Sequence, residues 1–398
     1  MNKSEKKLTL TGTDFTSKNP LIIAELGTSH NGDIYKAKEM IDAAAGAGAG
    51  CVKFQIVYAD EILHPNTGDV PLPGGMIRLY DRFKALELEP EFYQQIKEYS
   101  ESKGLLFLCT PFGLKSASIL KKLQPKIVKI ASPELNFTAL LEEIALWGLP
   151  VLLSSGVSRL SDIETAIDII KKEFSQRRIE PSVRGAEDAK EKKVEEIQPP
   201  SSICLLHCVT AYPAPETDYN LRVLSGLASI FGVPVGVSDH SSDPELVPAL
   251  SVGLGAVAVE KHFCLSKSDP GLDDPIALEP DSFAKMVNTI QQAAKDGFEK
   301  TAERCGREKG AELVERILGS GVKELASSEK DNYTRTNRSI HALRDIKAGE
   351  ILKKCDYAVL RTEKILRPGL EPLWESAIEG RTAKNFIPAG EGIRFEDI

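Results

Sequence analysis

Two short stretches decide the fold of this chain: VGVSDH at residues 235–240 and VEKHF at residues 259–263. Each continues an apolar run into polar residues that include a histidine, and a helix-length segment lies between them. This spacing predicts consecutive parallel strands with His240 and His262 at their carboxyl ends, where parallel α/β folds keep their chemistry. Two imidazoles beside carboxylates are suited to a divalent metal with open coordination positions, although a polar core would also accommodate them.

Length, net charge, apolar runs and cysteine content limit the classes of protein to which this chain can belong. The chain has 398 residues, which suits a barrel of about 250 residues followed by a smaller module. Its net charge of −8 argues against nucleic-acid or anionic-membrane partners, because both require a concentrated basic patch. No long apolar run is present, so we expect a cytoplasmic protein that does not enter a membrane. The seven cysteines lie mostly in apolar runs, which favours reduced, buried thiols.

Eight short apolar runs alternate with amphipathic segments from Leu21 onward. Their apolar character is continuous, which is typical of strands buried on both faces of a parallel sheet. The intervening segments repeat apolar residues with helical spacing, so the pattern predicts a (β/α)8 barrel. We expect its strands at Leu21–Leu26, Cys51–Gln55, Leu105–Thr110, Ile127–Ala131, Val151–Ser154, Ile203–Cys208, Val235–Ser238 and Val257–Phe263.

The predicted barrel domain spans residues 1–306 and is interrupted twice. A charged insertion of mixed sign covers residues 176–202 and precedes the sixth strand. A long loop, Tyr58–Leu88, is rich in proline and glycine and follows the second strand, where such loops commonly act as lids or binding loops. A polar linker is expected over residues 307–337.

Residues 338–398 form a second predicted domain. IKAGEIL at residues 346–352 recurs in outline as IPAGEGI at residues 387–393. Two copies of a short strand-turn-strand unit predict a small β-rich module with internal symmetry. A module of this size is marginally stable alone, so we expect it to dock on another surface.

Polar side chains lie at or near the ends of most of the predicted strands. Two lysines among them indicate an anion site, because burying an ammonium group is unfavourable unless it is paired or bound to an anion. Lys53 and Lys129 lie on alternate strands and can converge on a small dianionic ligand, with hydroxyls of Thr110, Ser132 and Ser238 nearby. The alternative is that the lysines pair with Glu25 or Glu134 for structural reasons alone.

The sequence from Ile22 to Ile398 resembles the sialic acid synthase family, and the C-terminal module resembles the antifreeze-like (SAF) domain of that family. Several motifs in the same order carry the resemblance. They are AELGTSHNG at 24–32, VKFQ at 52–55, CTPF at 109–112, VKIASPE at 128–134, LLHC at 205–208 with YP at 212–213, GVSDH at 236–240 and EKHF at 260–263.

The resemblance implies an enzyme that condenses phosphoenolpyruvate with an N-acylated hexosamine, with N-acetylmannosamine as the first candidate. The expected products are a nine-carbon 2-keto sugar acid and phosphate. By the family pattern, Lys53, Thr110, Lys129, Ser132 and Ser238 hold phosphoenolpyruvate, and His240 and His262 bind Mn²⁺ or Mg²⁺. By the same pattern, Gln55, Glu134, Tyr212 and Asp273 meet the sugar, Thr210 lies near the ligand, and Glu25 is the carboxylate at the reacting centre.

The resemblance also implies a domain-swapped homodimer in which one arginine of the SAF domain enters the partner's active site. Arg361 matches that arginine by position at a strand end, whereas Arg367 precedes Pro368-Gly369, the dipeptide that usually follows it. The insertion Thr362–Leu366 separates the two features, and we favour Arg361. Thr210 and Ser29 replace asparagines common in the family, which bears on the identity of the sugar.

Three alternatives stay open at this point. A legionaminic or pseudaminic acid synthase would use a 2,4-diacetamido-6-deoxy sugar and would need a more apolar pocket near the loop Tyr58–Leu88. A Schiff-base aldolase on the same barrel would use Lys129 and need no metal. A non-catalytic sugar-binding protein would leave Glu25, the lysines and the histidines without a role.

Overall fold

The computed structural model describes residues 6–72, 75–176, 203–363 and 365–398. Eight parallel strands form one sheet in the order β3-β2-β1-β8-β7-β6-β5-β4, and its end strands β3 and β4 lie side by side. The sheet is therefore a nearly closed barrel, which confirms the predicted fold class. Its strands are β1 (Leu21–Gly27), β2 (Cys51–Ile56), β3 (Leu106–Pro111), β4 (Val128–Ile130), β5 (Val151–Ser154), β6 (Ile203–Cys208), β7 (Val235–Asp239) and β8 (Ala258–His262).

Helices surround the barrel and pack their apolar faces on it. The first begins after Asp33, whose carboxylate accepts hydrogen bonds from the amides of Tyr35 and Lys36. The longest is interrupted at Gly297, where φ is +72°. The helices are Ile34–Gly46, Ala59–Ile62, Leu79–Lys84, Pro90–Ser102, Leu114–Lys122, Thr138–Ala145, Leu160–Gln176, Val223–Phe231, Leu246–Gly253, Pro280–Lys309, Ala311–Leu318 and Glu375–Ile378.

An N-terminal hairpin closes the end of the barrel where the strands begin. Leu8–Leu10 pairs with Thr13–Phe15 in antiparallel register. Leu8 and Leu10 are buried in one apolar cluster with residues from at least five barrel strands. The hairpin was not predicted, because strands of three residues carry no usable periodicity. With this end filled, the opposite end is the one open to ligands.

We expect Leu8→Ala to lower the free energy of unfolding by about 2–5 kcal/mol, because it leaves a cavity at the base of the barrel. Leu8 is fully buried. Chemical denaturation of the variant measures the change, and Thr13→Ala, at an exposed position of the same hairpin, is the control. Equal stability of the two variants would mean that the hairpin does not seal the barrel.

The loop Tyr58–Leu88 is more ordered than the sequence indicated. Expected to be a long loop that acts as a lid or binding loop, it contains the helices Ala59–Ile62 and Leu79–Lys84 and a hairpin, Asp69–Leu72 with Gly75–Arg78. Val70 and Leu79 are buried in a small apolar cluster of this region, which gives the loop a core of its own. The charged insertion predicted at 176–202 falls, from residue 177 onward, outside the described residues.

The C-terminal module is built on the antiparallel pair β9 (Arg338–Ala342) and β10 (Tyr357–Arg361). The two repeated segments pair with each other, since Ile346 and Ile387 exchange both backbone hydrogen bonds at 2.9 Å. The module contacts the barrel of its own chain, where Asn136 exchanges hydrogen bonds with the backbone of Arg338. None of the described helices has the length and apolarity required to cross a membrane.

Candidate active site

A pocket of about 380 Å³ lies at the carboxyl ends of the barrel strands. Thirteen of the fourteen predicted site residues line it, and Glu134 is the exception. The residues that it brings together are Glu25, Lys53, Gln55, Thr110, Lys129, Ser132, Thr210, Tyr212, Ser238, His240, His262, Asp273 and Arg361.

One carboxylate oxygen organises the floor of the pocket. Glu260 Oε1 accepts hydrogen bonds from Lys53 Nζ at 2.7 Å, from Lys129 Nζ at 3.0 Å and from Ser238 Oγ at 2.9 Å. Glu260 belongs to β8 and faces the barrel interior, two residues before His262. The two lysines therefore converge as predicted from the strand pattern, and Glu260 is the acceptor that holds them together.

Glu25 borders this cluster. Its carboxylate accepts a hydrogen bond from Gln55 Nε2 at 2.7 Å and lies 3.1 Å from Lys53 Nζ. Gly27 follows it on β1 with φ +53°, and a Cβ at that position would contact Gln55, Glu25 and Asp273 within 3.7 Å. Lys53 thus pairs with Glu25 as well as Glu260, whereas Lys129 pairs with Glu260 and not with Glu134.

The pKa values of the two carboxylates are shifted in opposite directions, because the lysines outweigh burial at Glu260 but not at Glu25. Burial raises the pKa of Glu25, and Lys53 only partly opposes this effect. Burial also acts to raise the pKa of Glu260, but Lys129 and Lys53 together hold it below its usual range. Glu260 is therefore the carboxylate that stays ionised, and Glu25 is the one able to hold or release a proton near neutral pH.

Three hydroxyls face the pocket without a hydrogen-bond partner among the described residues: those of Thr110, Ser154 and Thr210. Ser132 also lines the pocket, and its Oγ accepts a hydrogen bond from the amide of Gly156 at 3.0 Å. A side chain at position 156 would collide with the hydroxyls of Thr210 and Ser132, so the glycine lets them approach. Buried hydroxyls normally find partners, so these three are available to a ligand or water oxygen.

The two histidine rings lie side by side, with centroids 5.4 Å apart. His240 Nδ1 donates a hydrogen bond to Val209 O at 2.8 Å, which leaves Nε2 as the electron-pair donor. Burial keeps the pKa of His262 well below its usual value, so this imidazole is neutral, the form that binds metals. Asp273 Oδ2 lies 3.7 Å from His262 Nδ1.

This donor set fits a divalent cation with open coordination positions. Among the described residues, no group of three or more His, Cys, Asp or Glu side chains converges tightly enough to hold an ion by itself. The remaining ligands would have to come from substrate and water, as in catalytic sites. Tyr212 stacks on His240 at 4.4 Å between ring centroids and so limits the orientation of that ring.

Glu134 is not among the residues that line the pocket, so its contact with the sugar stays a prediction. It is fully buried, and its Oε1 accepts hydrogen bonds from Arg338 and Arg361 of the C-terminal module. Its Oε2 has no hydrogen-bond partner among the described residues. The two guanidinium groups thus share one oxygen, through which Glu134 links the module to the barrel.

Arg361 and Arg367 have different positions. Arg361 lines the pocket and its guanidinium lies 5.3 Å from the Phe112 ring centroid. Arg367 lies outside that pocket and pairs with Asp397 at 2.5 Å. Arg361 reaches the pocket of its own chain, so the exchange of this arginine between two subunits stays a prediction.

Several residues of the pocket were not predicted. Asn332, Thr336 and Glu363 come from the linker and the C-terminal module, and only docking of these segments on the barrel brings them to the site. Glu260 could have been found, because it shares a face of β8 with His262. Val70, Leu79 and Phe83 of the loop Tyr58–Leu88 add an apolar wall.

Residues 40–300 match the NeuB family, and residues 337–398 match the SAF domain. The chain belongs to the NeuB family. These matches confirm the resemblance that the motifs indicated, including the C-terminal SAF domain. Among curated relatives, N,N'-diacetyllegionaminic acid synthase of Legionella pneumophila is 32% identical over 95% of this chain and 94% of the relative. Pseudaminic acid synthase of Campylobacter jejuni is 30% identical over 96% and 97%.

Solved structures agree with this family membership. Spore coat polysaccharide biosynthesis protein SpsE of Bacillus subtilis has a TM-score of 0.76 and 30% identity, covering 98% of this NeuB-family chain and 99% of its own. The N-acetylneuraminic acid synthetase of Leptospira borgpetersenii, solved with citrate, has a TM-score of 0.61 and 32% identity, covering 82% and 95%. The comparisons thus show a sugar-acid synthase and do not single out one sugar.

Proposed function

We propose that this protein condenses phosphoenolpyruvate with the open-chain aldehyde of an N-acylated hexosamine, giving a nine-carbon 2-keto sugar acid and phosphate. One observation carries the proposal. Lys53 and Lys129 converge in the same pocket that holds Glu25, the imidazoles of His240 and His262, and hydroxyls that have no partner in the described part of the chain. A dianionic donor and an electrophilic acceptor would therefore meet in one cavity.

The lysine end of the pocket suits the donor. Phosphoenolpyruvate carries a carboxylate and a phosphate, and the ammonium groups of Lys53 and Lys129 supply two fixed positive charges. The hydroxyls of Thr110 and Ser132 lie in the same pocket and can donate to phosphate oxygens. Ser238 also lines it, and its hydroxyl donates to Glu260 Oε1 and so helps to hold the carboxylate between the lysines. No covalent adduct is required, so neither lysine needs to form a Schiff base.

The imidazole end suits the acceptor. Bound by His240 and His262, a cation such as Mn²⁺ or Mg²⁺ would act as a Lewis acid on the aldehyde oxygen. Gln55 and Tyr212 lie within reach of the same region, and Arg361 closes it. These side chains orient the sugar so that its aldehyde carbon faces the methylene carbon of the donor.

We assign to Glu25 the stabilisation of developing positive charge and the transfer of a proton. As the new carbon–carbon bond forms, positive charge develops at C2 of the donor, and the Glu25 carboxylate can stabilise it. A water molecule then adds at C2, and Glu25 can accept its proton because burial raises the pKa of this carboxylate. The bond between C2 and the oxygen that bridges to phosphorus then breaks, which releases phosphate and leaves the 2-keto group.

Two acceptors are candidates. N-Acetylmannosamine is the one expected from the family resemblance. A 2,4-diacetamido-6-deoxy hexose, the precursor type of legionaminic or pseudaminic acid, is favoured by the apolar wall of Val70, Leu79 and Phe83. A methyl group in place of a hydroxymethyl group gains from such a wall by roughly 1 kcal/mol. A legionaminic or pseudaminic acid synthase was expected to need an apolar wall of this kind near the loop Tyr58–Leu88.

A phosphate-release assay tests the proposed function. With phosphoenolpyruvate, Mn²⁺ and a panel of acylated hexosamines, we expect release with at least one sugar and loss of release after EDTA treatment. A Schiff-base aldolase would instead ignore EDTA and trap pyruvate with borohydride. A sugar-binding protein would bind the sugars without releasing phosphate.

A further inference from the structure

The C-terminal module contributes one carboxylate to the pocket, in addition to those of Glu25, Glu260 and Asp273 from the barrel domain. Glu363 lines the pocket and is 9% exposed. It belongs to Thr362–Leu366, the short insertion that separates Arg361 from Pro368-Gly369 in this chain. The insertion thus brings an acidic side chain to the wall where the sugar would bind.

The backbone of the insertion is fixed at Glu363. Its φ is +50°, a conformation that non-glycine residues rarely adopt. The amides of Thr362 and Glu363 both donate to Arg335 O, at 3.0 and 3.1 Å. Thr362 is fully buried. The side chain of Glu363 is therefore directed by a constrained turn, which is common where function requires a particular orientation.

Glu363 changes the charge of the arginine cluster. Arg338 and Arg361 share Glu134 Oε1, and the Glu61 carboxylate also acts on Arg338. Glu363 Oε1 lies 3.8 Å from Arg361 Nη1, so it places a negative charge beside the guanidinium that lines the pocket. Without Glu363, Arg361 would attract a phosphate group on the sugar more strongly.

We infer that Glu363 is a specificity-determining residue that selects uncharged acceptor sugars and disfavours phosphorylated ones. The inference rests on the proposed function. The carboxylate opposes the positive charge of Arg361, repels a phosphate dianion and can accept a hydrogen bond from a hydroxyl or amide N–H of a neutral sugar. Arg361 then remains available as a hydrogen-bond donor without acting as a phosphate site.

The test compares one acceptor sugar in its free form and its 6-phosphorylated form. For the wild type, we expect kcat/KM to favour the free sugar by about tenfold or more. Glu363→Gln should reduce this preference by about tenfold, Glu363→Asp should retain it, and Glu379→Gln, at an exposed position of the same module, should leave it unchanged. A purely structural role would not separate the Gln variant from the Asp variant.

Calorimetric affinities for the two sugar forms provide a measurement that needs no turnover. If no sugar supports phosphate release, the proposed function fails, and the ratio of affinities still decides the role of Glu363. If Glu363→Gln does not fold, Arg361→Gln replaces it and should weaken binding of the phosphorylated form more than that of the free form. An unchanged ratio in these variants, or a wild type that prefers the phosphorylated sugar, overturns the inference.

Discussion

Replacing either histidine of the imidazole pair by alanine should reduce phosphate release at least about a hundredfold, because a two-histidine site cannot hold its cation through one ring. His240 and His262 lie 5.4 Å apart between ring centroids, and His240 Nδ1 is already occupied by Val209 O. We also expect Mn²⁺ binding, measured by calorimetry on the purified protein, to weaken about 10- to 100-fold in each variant.

His64→Ala is the control, because this histidine lies outside the pocket. It should keep both the wild-type turnover and the wild-type affinity for Mn²⁺. Excess pyruvate should restore turnover in neither pocket variant, since the reaction does not pass through pyruvate. Full activity together with full Mn²⁺ affinity in His240→Ala and His262→Ala would remove the metal role from the proposal.

Glu260→Gln should lower the free energy of unfolding by about 3–5 kcal/mol, because it leaves two buried ammonium groups without their shared carboxylate. Lys53 and Lys129 both donate to Glu260 Oε1, and both are almost fully buried. Chemical denaturation of the variant against the wild type measures the loss.

Inorganic phosphate provides a second measurement on the same variant. Because the freed lysines form a stronger anion site, we expect added phosphate to stabilise Glu260→Gln more than it stabilises the wild type. Glu312→Gln, at an exposed helix position, is the control for the loss of one negative charge. If stability is unchanged and phosphate has equal effects on the two proteins, the lysines are not held as the structure indicates.

Local sequence patterns predict much of the barrel. The runs that become β5 and β6 end where the pattern predicted, because a strand buried on both faces must be apolar along its whole length. The helix Val223–Phe231 was missed, since its nearly continuous apolar sequence lacks the polar face that marks an amphipathic helix. The N-terminal hairpin was missed because its strands are short.

The candidate site, like the fold, contains features that local sequence predicts and features that it does not. Residues at strand ends, such as Lys53, Lys129 and His262, reach the pocket because alternation along a strand already determines which side chains face inward. The ion pairs of Glu134 were not predicted, because its partners, Arg338 and Arg361, are about two hundred residues away along the chain. No local pattern reports a contact of that range.

By itself, the sequence determined the barrel, the appended module and the set of side chains at the strand ends. The reason is that backbone periodicity and apolar burial are local properties. Only the tertiary structure decided which carboxylate holds the lysines, that Glu134 anchors the C-terminal module, and that Glu363 lies in the pocket wall beside Arg361. Those outcomes depend on which charges come within a few ångströms after docking, and the energy of a buried charge depends on its partners in space.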